Sequence, residues 1–167
     1  MPNWVRNIVY ALDENANFEE FTNEKQEFTF EKIIPIPEDI YRGSLGAEER
    51  KKYGSKNWYD WSIANWGTKW DANSNSVEAT KVEFDTAWSC PFPVLIELGK
   101  RVGGIIVLYA DEVIPENSGG YIINAKGEVK EIPCEVIART VIYEDVDIHY
   151  REDVISEFGW LVDDEED

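Results

Sequence analysis

Apolar and polar positions alternate along "WVRNIVYAL", residues 4–12, with Val5, Asn7 and Val9 opposite Trp4, Arg6, Ile8 and Tyr10. A period of two predicts a first strand with one apolar and one mixed face. "DENANFEEFTNEKQ" (13–26) then reads as a short acidic helix, opened by Asp13 or Asn15, with Phe18 and Phe21 meeting three residues apart. "EFTFEKIIPIP" (27–37) alternates Phe28 and Phe30 with polar neighbours, which predicts a second strand. Pro35 and Pro37 end it, since proline has no N–H for a ladder. Residues 38–64 depart from the sheet pattern. Helix formers and charge pairs there are broken by Gly54, and Trp58 and Trp61 share one helical face.

"GTKWDA" (67–72) and "EATKVEFDTAW" (78–88) read as two strands joined by the polar turn "NSNS". "CPFPVLIELGKR" (90–101) predicts a helix whose first turn accepts Pro91 or Pro93, where a missing N–H costs nothing. "GGIIVLYADE" is the most apolar strand, and "GGYIINAKGEVKEI" is a hairpin turning at "NAKG". Further on, "EVIARTVIYEDVDI" (135–148) reads as a strand. "REDVISEFG" (151–159) reads as a short helix stopped by Gly159, and the end "DDEED" as a frayed tail.

Without the excursion and the C-terminal additions, the order is strand, helix, strand, strand, helix, strand. That order predicts an α+β fold of the ferredoxin-like, split βαβ kind, with two helices on one face of an antiparallel sheet. The expected organisation is a domain over residues 1–131 with a tryptophan-rich insertion at about 38–66, and an acidic extension over 132–167 that belongs to the same domain.

"MPNW", "KIIPIPE", "NWYDWSIANWGTKWDA", "FDTAWSCPFPV" and "LYADE" together resemble the YubB-like ferredoxin-like proteins of phages, plasmids and related mobile elements. The resemblance covers roughly residues 1 to 130 and implies the same fold and a mobile-element gene. It carries no activity and no catalytic residues across. "Ferredoxin" here describes shape, because the chain has no cysteine set for an iron–sulfur cluster.

Charge alters the picture most. Sixteen basic against 34 acidic residues give −18, and residues 144–167 alone hold eleven acids and one arginine. A surface of that sign repels phosphates, so double-stranded nucleic acid is not expected as a partner, whereas a protein with a basic surface is. The candidate acidic surface is Glu144, Asp145, Asp147, Glu152, Asp153, Asp163, Asp164, Glu165, Glu166 and Asp167. The bland alternative is a tail that only keeps the chain soluble. No apolar run reaches the ~20 residues of a membrane span, and the start lacks a secretory pattern, so a cytoplasmic protein is expected. An edge strand after residue 131 would also permit a homodimer.

Candidate chemistry is sparse. Two distant cysteines, Cys90 and Cys134, and one histidine, His149, make neither a zinc site nor a triad, so no metal or cofactor is expected. "DANSNS" from Asp71 lacks the glycine and glutamate of a calcium loop, with Ser76 and Val82 in their places. Asp85, Asp111 and Glu112 are carboxylates that could do acid/base work if they converged. Four of seven tryptophans fall within residues 58–70. Trp58, Trp61, Trp66 and Trp70 either staple the insertion to the sheet or, with Lys69 and Lys56 beside them, line a groove for a ring-bearing ligand or a single strand. Three functions follow in order of expectation: a non-enzymatic protein-binding module, a ligand- or single-strand-binding module, and an enzyme of unknown reaction.

Overall fold

The computed structural model describes residues 3–114 and 116–132. The strand expected over 135–148, the helix over 151–159, Cys134, His149 and every residue of the candidate acidic surface lie outside the described residues. The described chain is a mixed α+β fold with a six-stranded antiparallel sheet and three helices.

The strands are β1 (Trp4–Ala11), β2 (Asn73–Val77), β3 (Lys81–Ala87), β4 (Ile105–Asp111), β5 (Ser118–Ile123) and β6 (Val129–Glu131). They lie in the order β2-β3-β1-β4-β5-β6, so the first strand is central, between β3 and β4. Its register sets the faces, since successive side chains point to opposite sides. Val9 is opposite Val82 and Val107, and Ala11 is opposite Ile105. These side chains join Phe84, Tyr109 and Ile123 in the main apolar cluster. Asn7 is buried on the same side, and its amide donates to Thr86 Oγ1 at 2.9 Å. The alternate positions Ile8, Tyr10, Ile106, Leu108 and Ile122 are buried too, so β4 is enclosed on both faces, as its unbroken apolar run requires.

The helices are α1 (Ala47–Tyr53), α2 (Trp58–Asn65) and α3 (Phe92–Val102). Only α3 carries a broad apolar stripe, and it buries Val94, Leu95 and Leu98 against the sheet. Gly103 ends it in the left-handed conformation at φ 83°. Gly99 lets it approach β5, because a methyl group there would stand 2.8 Å from Ile123 Cγ2. The insertion forms α1 and α2, separated by Gly54 as expected, and Asn57 caps α2 by accepting from Asp60 N at 2.9 Å.

Four expected elements take other forms. The acidic helix over 13–26 is a single 3-10 turn, Phe18–Phe21. Asp13, Asn17 and Asn23 each accept hydrogen bonds from backbone N–H groups two residues on, and such side chains compete with helix formation. The strand over 27–37 is absent, replaced by a 3-10 turn at Phe30–Lys32. Its backbone finds side-chain partners instead of a neighbouring strand: Phe30 N donates to Asp71 Oδ1 at 2.7 Å and Phe28 N to Asn75 Oδ1 at 3.2 Å. Both phenylalanines are buried all the same, Phe28 stacked on Phe84 at 5.4 Å. Last, "NSNS" is not the turn but most of strand β2, and the reversal falls at Glu78–Thr80, where Glu78 N donates to Lys81 O at 2.8 Å. "GTKWDA" is not a strand. An edge strand needs partners on one side only, so a polar sequence serves, and a register shift between Asn73 and Ser76 bends it.

Candidate functional site

The four clustered tryptophans divide between interior and surface. Trp66, just past the end of α2, is 3% exposed, and its indole N–H donates to Ile34 O at 2.9 Å. Phe30 meets it edge-on at 5.6 Å and Trp61 at 5.3 Å. Trp61 packs half-buried on the same cluster. Trp58 is half-buried and donates through its indole N–H to Gly43 O at 2.9 Å. Trp61 and Trp66 tie the insertion to the main core, and Trp58 braces the insertion internally. Trp70 does neither: it is 36% exposed, within the bend that begins at Gly67.

At the surface Trp70 meets residues from other segments. Trp4, at the start of β1, lies 6.0 Å from it, ring centre to ring centre. The Lys69 ammonium sits 4.3 Å from the Trp70 ring, 5.3 Å from that of Trp88 and 5.8 Å from that of Tyr59 on α2. Arg50 of α1 approaches Tyr59 at 5.7 Å. Distances below about 6 Å are those at which a cation is drawn to a ring face. Lys56, by contrast, pairs with Asp39 at 3.7 Å on exposed surface.

Trp88 is the residue that sequence reasoning missed, together with Trp4 and Tyr59. It is 44% exposed and has φ 69°, a left-handed conformation that bulky residues rarely adopt. Its backbone is held in place from both sides. Trp88 N donates to Asn3 O at 2.9 Å, and Asn117 Nδ2 donates to Trp88 O at 3.0 Å. On either side of it, Thr68 Oγ1 donates to Ala87 O at 2.8 Å and Ser89 Oγ to Gly67 O at 2.6 Å. The loop after β4, carrying exposed Val113 and Ile114, is tied to the same end of the sheet through Glu112 N, which donates to Trp4 O at 3.0 Å. The available signal was the pairing of Trp4 with Ala87, and it exists only once the register is known.

The three carboxylates each have local work. Asp85 faces Arg6, whose guanidinium lies 3.3 Å away and also reaches Glu83 at 2.7 Å. Burial pushes the Asp85 carboxyl up against the pull of Arg6, and the charges of Glu112 and Glu83 add to the rise. Asp111 accepts from Val113 N at 2.8 Å, Ile114 N at 2.9 Å and Asn117 Nδ2 at 3.0 Å. Partial burial opposes ionisation there, but those three donors hold the carboxyl below the usual carboxylate range. Asp85 pairs in register with Arg6 and Asp111 with Val5, adjacent positions that point to opposite faces. Glu112 accepts from Trp4 N at 3.0 Å. Cys90 is a buried free thiol, and burial pushes its pKa up, the opposite of an activated thiolate. Asp71 is a half-buried acceptor for Phe30 N, Ala72 N and the Thr29 hydroxyl rather than part of a calcium loop.

Among the described residues no group of three or more His, Cys, Asp or Glu side chains could hold a metal ion, and no helix is long and apolar enough to cross a membrane. Comparison with family models, with curated proteins and with solved structures finds no match to this chain.

Proposed function

We propose that this chain is a non-enzymatic binding module for a protein with a basic surface. Contact is made through the aromatic surface of Trp4, Tyr59, Trp70 and Trp88, which surrounds Lys69. The excess of negative charge, concentrated in residues 144–167, supplies long-range attraction. The observation that carries the reading is Trp88, an indole 44% exposed on a backbone at φ 69°. Holding a bulky residue there costs about 1–3 kcal/mol, and such strain is concentrated where a protein makes contacts. Exposed aromatic rings are also the commonest anchors of protein interfaces.

Two further parts of the reading have separate support. The order β2-β3-β1-β4, with β1 between the strands that α3 connects, favours a ferredoxin-like split βαβ unit extended by β5 and β6. The tryptophan-rich resemblance favours an accessory role in a phage, plasmid or other mobile element. The alternative ligand is a single strand or a ring-bearing small molecule, favoured by the cations Lys69 and Arg50 lying against the rings.

The test is affinity capture from nuclease-treated bacterial lysate with three baits: the full chain, Trp88→Gly, and a chain ending at residue 143. A stoichiometric partner held by the full chain, released by salt and lost with Trp88→Gly is expected. A partner held equally by Trp88→Gly refutes the aromatic contact, and one held equally by the truncated chain refutes the acidic contribution.

A further inference from the structure

Lys69 is in an unusual position for a lysine in so acidic a chain. Arg50, Lys52 and Lys81 each lie over one ring, whereas the Lys69 ammonium rests among three ring faces. Each ring is held independently of that ammonium. Trp70 leans on Trp4, and the Asp71 carboxylate next to it fixes the local backbone through Phe30 N and Ala72 N. Tyr59 is on a capped helix, and Trp88 is on the clamped turn. Lys69 itself is on a flexible four-carbon stem and half-exposed, so it can swing out without moving the walls.

Resting on the binding-module reading, we infer that Tyr59, Trp70 and Trp88 form an aromatic cage for an ammonium or guanidinium group of the partner, a place Lys69 fills in the free protein. The ring quadrupoles attract a cation, and a net charge of −18 draws basic partners and repels anionic ones. A pre-formed pocket whose walls are already ordered binds without a further ordering cost. Lys69 is therefore a competitor of the partner. That role reverses the sign expected if Lys69 were a contact for a phosphate or carboxylate. In the cage, removing its charge strengthens binding; at an anion site, removing it weakens binding.

The experiment uses the full chain with its indole N–H resonances followed by NMR. The probes are tetramethylammonium, neopentyl alcohol as a neutral, water-soluble analogue of similar size, and dodecathymidylate. Tetramethylammonium is expected to shift the Trp70 and Trp88 indole signals in a saturable way, with neopentyl alcohol much weaker. Lys69→Met, which keeps the stem and removes the charge, should tighten tetramethylammonium binding by about fivefold, the scale of one exposed cation–ring contact. Trp88→Gly, with its fold checked by the unchanged Trp66 resonance, should abolish the shift.

Weaker or unchanged binding by Lys69→Met overturns the cage, as does an equal response to neopentyl alcohol, which would mark a plain apolar patch. Dodecathymidylate binding that Lys69→Met removes overturns it in favour of a single-strand site. If a captured protein still depends on Trp88 but tetramethylammonium does not shift these indoles, the cage fails and the binding module stands.

Discussion

Replacing Trp66 with alanine separates the two roles in the tryptophan cluster. Trp66 is 3% exposed, touches Phe30 and Trp61 edge-on, and its N–H satisfies Ile34 O. Truncating a buried tryptophan costs about 3–5 kcal/mol through lost contacts and the cavity left behind. Stranding the Ile34 carbonyl adds about 1–3 kcal/mol. The sum, about 4–8 kcal/mol, is a large part of the about 5–15 kcal/mol that holds a domain folded. Trp70→Ala removes a ring one-third exposed and costs about 1–2 kcal/mol. Urea unfolding followed by far-UV circular dichroism measures both. A chain of this length loses about 2–4 °C of melting temperature per kcal/mol, so Trp66→Ala should melt at least about 8 °C lower, or be unfolded when made. If Trp66→Ala cost no more than Trp70→Ala, the assignment of Trp66 to the core and Trp70 to the surface would be wrong.

Trp88→Gly should be more stable than Trp88→Ala by about 1 kcal/mol in thermal melts, the reverse of the ordinary ranking, because only glycine relaxes at φ 69°; alanine ranking first would remove the strain argument. Gly99→Ala should lower stability by about 1–3 kcal/mol despite alanine's better helix propensity, since its methyl group meets Ile123, and a chemical-denaturation midpoint at or above wild type would contradict the close packing of α3 on β5. For Asp71, burial outweighs the Phe30, Thr29 and Ala72 hydrogen bonds and raises the folded-state pKa. A raised pKa gives stability that is full below the unfolded value, near 3.8, and is lost as pH rises through the folded one. Asp71→Asn should therefore lose less stability, or gain more, than wild type as pH rises through that window, and parallel curves would contradict the raised pKa.

Elements with a strong period were legible in the chain. Strand β1, helix α3, strand β4 and the β5–β6 hairpin lie where alternation, the proline-led helix start and "NAKG" put them. Local side-chain chemistry misled elsewhere, because an asparagine or aspartate near a backbone N–H can replace both a helix turn and a strand partner. Asn23 and Asp71 do so on either side of Phe28 and Phe30, which are buried even though the strand their alternation predicts does not form. The candidate surface was legible by half. Lys69 and Trp70 stood out by composition, but Trp88 and Trp4, 84 residues apart, reach the same end of the sheet because the first strand enters between β3 and β4 and pairs Trp4 with Ala87.

What the sequence alone determined is what short-range physics decides: periods of two and 3.6, turns where glycine and proline permit them, and the net charge. Which tryptophans are core and which face solvent was settled only by the tertiary structure. An indole has much the same affinity for the interior wherever it falls in a sequence, and burial depends on what long-range pairing brings to its two faces. Trp66 found Phe30 and the Ile34 carbonyl, whereas Trp70 and Trp88 found a lysine and water.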